Sequence, residues 1–166
     1  ALRLARIHTK RDYLLAVRES YHGWTYLADA VSTSAADNPN ALASRPEWVH
    51  TLDVPNTFRG RYREDEAHRY AQDATAAVRE LVASGRPPAA FICEPVYGSA
   101  GGVTLPAGYL KAVYSEVRRS GGVTIADDVA PACNADGVLD NGETGTVTVT
   151  FKNVGNARSE EHTSEL

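Results

Sequence analysis

Residues 89–128, AAFICEPVYGSAGGVTLPAGYLKAVYSEVRRSGGVTIADD, hold two short apolar runs that each close on a carboxylate, Glu94 and Asp127. Apolar runs without polar alternation belong to strands buried on both faces, and such strands occur in parallel sheets covered by helices. Parallel neighbours need a crossover, and the intervening segment supplies one. Pro106 suits a first helical turn, Leu110, Val113, Tyr114 and Val117 share one face, and Gly121-Gly122 ends the helix. The order strand, Gly-rich loop, helix, strand predicts a right-handed α/β crossover. It also puts Glu94 and Asp127 near each other at the carboxyl edge of the sheet, where open α/β folds bind their ligands.

The chain before this stretch extends the same pattern. Residues 64–84 carry an apolar stripe at Ala67, Tyr70, Ala71, Ala74, Ala77, Val78, Leu81 and Val82, with Gly85 and Pro87-Pro88 as stop signals, which predicts a helix over Glu64–Ser84. Strands are expected at 12–17 (DYLLAV), 48–52 and 89–93, with Tyr21-His22-Gly23-Trp24-Thr25 in a loop after the first. Residues 31–46, rich in Ser, Ala, Asn and Pro, read as a surface excursion. VPNTFRGRYR at 54–63 reads as an exposed basic loop; its plain reading is a solvated face, and phosphate recognition is the sharper alternative. ALRLARIHT starts in good helix formers with no capping residue before it, and the chain has no Met, so a fragment is expected.

Composition limits the partners. With 166 residues, 43% of them hydrophobic and 23% charged, the chain can bury one ordinary core. A net charge of -4 gives no footprint for nucleic acid or an anionic membrane, and no apolar run is long enough to span a bilayer. Two cysteines, Cys93 in a buried strand and Cys133 in a loop, do not make a disulfide framework, so a cytoplasmic setting is expected and Cys93 reads as a small core hydrophobe.

Beyond Asp128 the composition changes. Residues 130–157 contain an acidic turn, NADGVLDNGE, and an alternating Thr/Val run that predicts an antiparallel strand over 145–152. Residues 158–166, RSEEHTSEL, are polar and aperiodic; they resemble a translated sequencing adapter, and disorder is expected there. Three segments follow: 1–129, 130–157 and 158–166.

YHGWT, VPNTFRGRYRED, RYA, AAFICEPV, GGVTLPAGYL and GGVTIAD together resemble the class III (fold type I) aminotransferase family over residues 1 to about 129. The wording around Arg59-Gly60-Arg61-Tyr62 is most similar to the ethanolamine-phosphate phospho-lyase-like branch. The resemblance implies part of the large, cofactor-binding domain, a mostly parallel sheet with flanking helices. It implies pyridoxal 5'-phosphate as cofactor, small-molecule amino donor and acceptor, and a homodimeric parent. Asp127 would partner the ring nitrogen, Tyr21 would stack on the ring, and Val129 would pack on its other face. Glu94 would neighbour the ring hydroxyl and the incoming amine, with His22 at the ring edge. Read without the resemblance, Asp127 is a cap or turn residue, Glu94 a strand terminus and Tyr21 a turn aromatic.

The family's Schiff-base lysine has no counterpart here: Lys10, Lys111 and Lys152 do not match it, so no catalytic residue is assigned. The family's phosphate loop would come before Ala1, and Asp128-Val129-Ala130 stands where the family usually has Glu-Val-Gln. The expectation is a fragment of a transaminase, or of a phospho-lyase acting on amino-alkyl phosphates, not competent as given and fused to an unrelated strand. The alternative is an extracellular β-sandwich module, with Asp136, Asp140, Asn141 and Glu143 as oxygen donors to calcium. Their spacing fits no EF-hand loop, so the turn also reads as solvated acid and no metal ligands are assigned.

Overall fold

The computed structural model describes residues 1–127. Its elements in chain order are α1 (Leu2–Thr9), β1 (Leu14–Val17), α2 (Tyr26–Val31), β2 (Val49–Leu52), α3 (Arg69–Ala83), β3 (Ala90–Cys93), β4 (Val96–Tyr97), β5 (Val103–Thr104), α4 (Tyr109–Arg119) and β6 (Val123–Ala126). Four strands pair in parallel in the order β2-β1-β3-β6, and β4 and β5 form a separate antiparallel pair.

The unbroken apolar runs of β1 and β3 follow from a sheet covered on both faces. Leu15, Val17, Phe91 and Cys93 point to a core closed by Tyr70 and Val78 of α3 and by Val113 and Val117 of α4. Their alternate neighbours Leu14, Ala16, Ala90 and Ile92 point the other way, against Leu2 and Ala5 of α1 and Val31 of α2. Each strand residue has an apolar partner whichever side it faces. All four strands of the β2-β1-β3-β6 sheet run one way, so each delivers its last residue to the same edge.

Several boundaries shift. The helix expected from Glu64 begins at Arg69, because the exposed acidic residues Glu64–Glu66 form a separate 3-10 turn with Glu64 at φ 44°. The helix expected from Pro106 begins at Tyr109, after Gly108 takes a left-handed conformation at φ 78°. Residues 31–34 correct the surface reading of 31–46: Val31 packs in the second core, and Ser32, Thr33 and Ser34 are buried. Their polar groups are satisfied locally, since the Thr33 and Ser34 N–H groups donate to the Ser20 carbonyl (2.8 and 3.0 Å) and Thr33 Oγ1 donates to the Val17 carbonyl (3.0 Å). The basic loop is only partly exposed, with Pro55, Asn56 and Tyr62 buried and Phe58, Arg59 and Arg61 outside. The strand expected at 145–152, the acidic turn with Asp136, Asp140, Asn141 and Glu143, and the tail 158–166 lie outside the described residues.

Glu116 of α4 ties the two helices of the first core together. Arg79 of α3 donates to its Oε2 through Nε (3.0 Å) and Nη2 (2.8 Å), and Arg119 adds a further ion pair. The hydrogen bond from Arg79 leads in holding this carboxyl below the ordinary carboxylate range. Ionised Glu116 therefore favours the fold above its unfolded pKa, and that contribution is lost as pH falls through the depressed folded value. Glu116→Gln is expected to lower the denaturation midpoint at neutral pH and to flatten its acid dependence. Denaturant titrations at neutral and acid pH check this, and an equal loss at both would show that the ion pairs contribute nothing.

Candidate functional site

The carboxyl ends of β1, β3 and β6 deliver Tyr21-His22, Glu94 and Asp127 to one place. β1 stops at Val17, whose carbonyl accepts the buried Ser20 hydroxyl (2.6 Å) and so turns the chain into the Tyr21–Thr25 loop. Glu94 Oε1 accepts the Tyr21 N–H at 2.8 Å, and its other oxygen accepts the Gly98 N–H at 3.3 Å. Asp127 is set in register by its own N–H on the Cys93 carbonyl (2.9 Å) and meets His22 Nδ1 through Oδ2 at 2.7 Å. Two consecutive loop residues are thus fastened by the two strand-end carboxylates. Ser32 completes the anchor by accepting the His22 N–H at 2.8 Å while donating to the Ala28 carbonyl.

The surroundings push the two acids apart. The hydrogen bond to His22 holds Asp127 below the ordinary aspartate range. Burial raises Glu94 above the ordinary glutamate range, against the backbone N–H groups of Tyr21 and Gly98, which favour its ionised form. An ionised Asp127 can only accept, so the His22 proton sits on Nδ1. The imidazole is fully shielded, while 43% of the Asp127 side chain stays open. Among the described residues Asp127 Oδ1 accepts no hydrogen bond and His22 Nε2 has no partner. The site therefore presents a fixed, ionised oxygen acceptor to whatever approaches the sheet edge, braced from behind by a buried imidazole.

Tyr21, His22, Glu94 and Asp127, all singled out from the sequence, come together here; Val129 lies outside the described residues. The half-buried Tyr21 ring meets Trp24 edge-on, with centroids 5.7 Å apart, so its faces are not stacked on that neighbour. Cys93 is a core residue: its Sγ lies 2.8 Å from the Tyr97 hydroxyl, and burial pushes its thiol up to about 12. Two of the three arginines of the basic loop have side-chain partners among the described residues, Arg59 on the Ala100 carbonyl (3.1 Å) and Arg61 near Asp73 (3.5 Å). The contact from Arg59 joins that loop to the β4–β5 hairpin beside Glu94. Ser32 and the hairpin were not among the residues read as functional, because a Ser in a Ser/Ala-rich stretch and strands of two residues carry no period.

A parallel α/β sheet with a braced carboxylate at its carboxyl edge is a ligand-binding architecture of the doubly wound type. The sequence model "Aminotransferase class-III" matches residues 1–145, and the chain belongs to that family. The match runs past the change of composition near residue 128. An "Alanine--glyoxylate aminotransferase 2-like" protein of Drosophila melanogaster is 36% identical over 135 residues, covering 78% of this chain and 27% of that protein. Among solved structures, a phospholyase from Arthrobacter in complex with phosphoethanolamine superposes with a TM-score of 0.60 at 28% identity, over 75% of this chain and 29% of that one. An amine transaminase from an uncultivated Pseudomonas species, in its PLP-bound form, gives 0.64 at 26% identity, over 76% of this chain and 30% of that one. The chain spans less than a third of the length of these relatives. Among the described residues no helix is long and apolar enough to cross a membrane.

Proposed function

We propose that residues 1–129 form part of the pyridoxal-phosphate-binding domain of an enzyme that transfers amino groups or eliminates phosphate from an amino-alkyl phosphate. The observation that carries this reading is the His22–Asp127 contact of 2.7 Å at the open sheet edge. When bound, pyridoxal phosphate supplies an electron sink for bond breaking at the amine-bearing carbon of the substrate. The donor set fits such a ring: a protonated pyridine nitrogen needs an ionised acceptor oxygen, and Asp127 Oδ1 accepts no hydrogen bond among the described residues. In this reading Asp127 keeps the ring proton in place, and His22, donating from Nδ1, holds Asp127 in position and in its ionised form. Tyr21 offers a flat aromatic face to the ring, with its backbone fixed by Glu94. Val129 would cover the opposite face.

Glu94 would neighbour the ring hydroxyl and the substrate amine, where a carboxyl raised by burial could take up or release a proton. The relatives include aminotransferases, phospho-lyases, a racemase and an epimerase, and the two reactions proposed here both begin with loss of a proton beside the amine. None of Lys10, Lys111 and Lys152 occupies the family's lysine position, so the 166-residue chain is proposed not to turn over either class of substrate. The parent is proposed to be a cytoplasmic homodimer, a setting that suits the buried free thiol of Cys93.

Cofactor binding can be tested without the missing lysine by using pyridoxine phosphate, which has no aldehyde to react with surface amines. Its addition is expected to shift the backbone amide signals of Tyr21, His22 and Asp127 in a saturable way. Shifts confined to other regions, or none at all, would sink the reading.

A further inference from the structure

We propose that the opposite, amino-terminal edge of the sheet carries a second site, a cleft in which Arg45, Arg86 and His50 bind a phosphate dianion. The segments leading into β1, β2 and β3 converge there. Their backbones are locked by the Leu14 N–H on the Trp48 carbonyl (2.8 Å) and the Ala89 N–H on the Tyr13 carbonyl (2.7 Å). They line an open cleft of about 480 Å³ walled by Tyr13, Arg45, Glu47, Val49, His50 and Arg86.

Both guanidiniums have only neutral partners. Arg45 Nη1 donates to Thr51 Oγ1 (3.3 Å) and Arg86 Nε to Ser84 Oγ (3.1 Å); among the described residues neither forms an ion pair. Glu47, the acidic residue of the wall, is exposed and pairs with neither.

His50 adds an unmet polar group. Its Nε2 is buried with no hydrogen-bond partner among the described residues, and its ring is fixed by stacking on Tyr13, with centroids 5.2 Å apart and an interplanar angle of 29°. Burial, then Arg86 and Arg45, hold this imidazole below the ordinary histidine range, so it is neutral at neutral pH and both guanidiniums act on the same small ring. Two positive charges focused on one point favour a compact dianion over one whose charges are spread apart. A tetrahedral phosphate presents oxygens to two guanidinium forks and to an imidazole N–H at once. Asp127 and His22 lie at the other end of the strands, so this site is separate from the one at the carboxyl edge.

The test is a titration of the 166-residue chain with inorganic phosphate at neutral pH and constant ionic strength, following the histidine ring signals by NMR. Saturable movement of His50 with His22 unmoved is expected. Arg86→Ala should weaken binding about tenfold, the loss of one charge-assisted contact. The Arg86 side chain is exposed and among the described residues bonds only to Ser84, while the backbone N–H that donates to the Leu81 carbonyl survives the substitution, so this variant should keep the wild-type circular dichroism. Glu47→Gln should tighten binding by removing a like charge, and succinate should bind more weakly than phosphate. Non-saturable movement, movement unchanged by Arg86→Ala, or equal binding of succinate would overturn the assignment.

Discussion

Asp127→Ala is expected to lower the affinity for pyridoxine phosphate about tenfold and to destabilise the loop that follows β1. The first effect is the loss of one charge-assisted hydrogen bond. Such bonds contribute about 1.5–3 kcal/mol, and the low end applies because much of the carboxylate stays in solvent; 1.4 kcal/mol corresponds to about tenfold. The second effect comes from His22. With Asp127 truncated, a fully shielded imidazole whose Nε2 has no partner among the described residues would lose the one on Nδ1 as well. Leaving a buried donor unmet costs about 1–3 kcal/mol.

Asp127→Asn separates the two effects, because the amide oxygen can still accept from His22 Nδ1 while the charge is gone. Stability close to wild type together with weakened binding is therefore expected of Asp127→Asn. Dependence on pH follows the same logic. Asp127 is depressed by its bond to His22, so its ionised form contributes to stability above the unfolded pKa, and the contribution disappears as pH falls through the lower folded value. Ligand titrations and thermal melts of both variants decide the matter: wild-type affinity in both would remove Asp127 from the site.

The fold was legible where one physical signal dominated. LLAV and AFIC are apolar at every position, and a strand with no polar side must have both faces covered, which fixes a parallel sheet with helices above and below. The helix α2 has six residues, too few for a period to show, and Ser32–Ser34 are polar residues whose burial depends on acceptors supplied by β1 and the loop after it. Tyr21, His22, Glu94 and Asp127 could be singled out because strand ends and motif wording mark them. Their connections could not be read. His22 and Asp127 are 105 positions apart, and no local pattern says that one braces the other. Glu94 bonds the backbone of Tyr21, a role that its residue type does not disclose.

Gly60→Ala is expected to cost about 3 kcal/mol, the sum of overpacking and a lost buried hydrogen bond. A methyl group on Gly60 would fall 2.2 Å from the Asn56 carbonyl oxygen and 2.2 Å from the Tyr70 hydroxyl, so the obstacle is steric. Neither neighbour can yield cheaply. The Asn56 carbonyl accepts both the Gly60 N–H (2.9 Å) and the Tyr70 hydroxyl (2.9 Å), and that hydroxyl accepts the Tyr62 N–H (3.1 Å). Tyr70 is 4% exposed and belongs to the core between α3 and the sheet. Moving it would unseat a core aromatic, whereas moving Asn56 would open the turn that presents Arg59. Tyr70→Phe in the same chain removes one of the two clashes and should recover part of the loss, which distinguishes steric strain from a general intolerance at this position. The damage should also reach the candidate site, because Arg59 bonds Ala100 in the hairpin whose Gly98 N–H steadies Glu94. A denaturation midpoint equal to wild type, with an unmoved Gly98 amide signal, would disprove this coupling between the basic loop and the carboxyl edge.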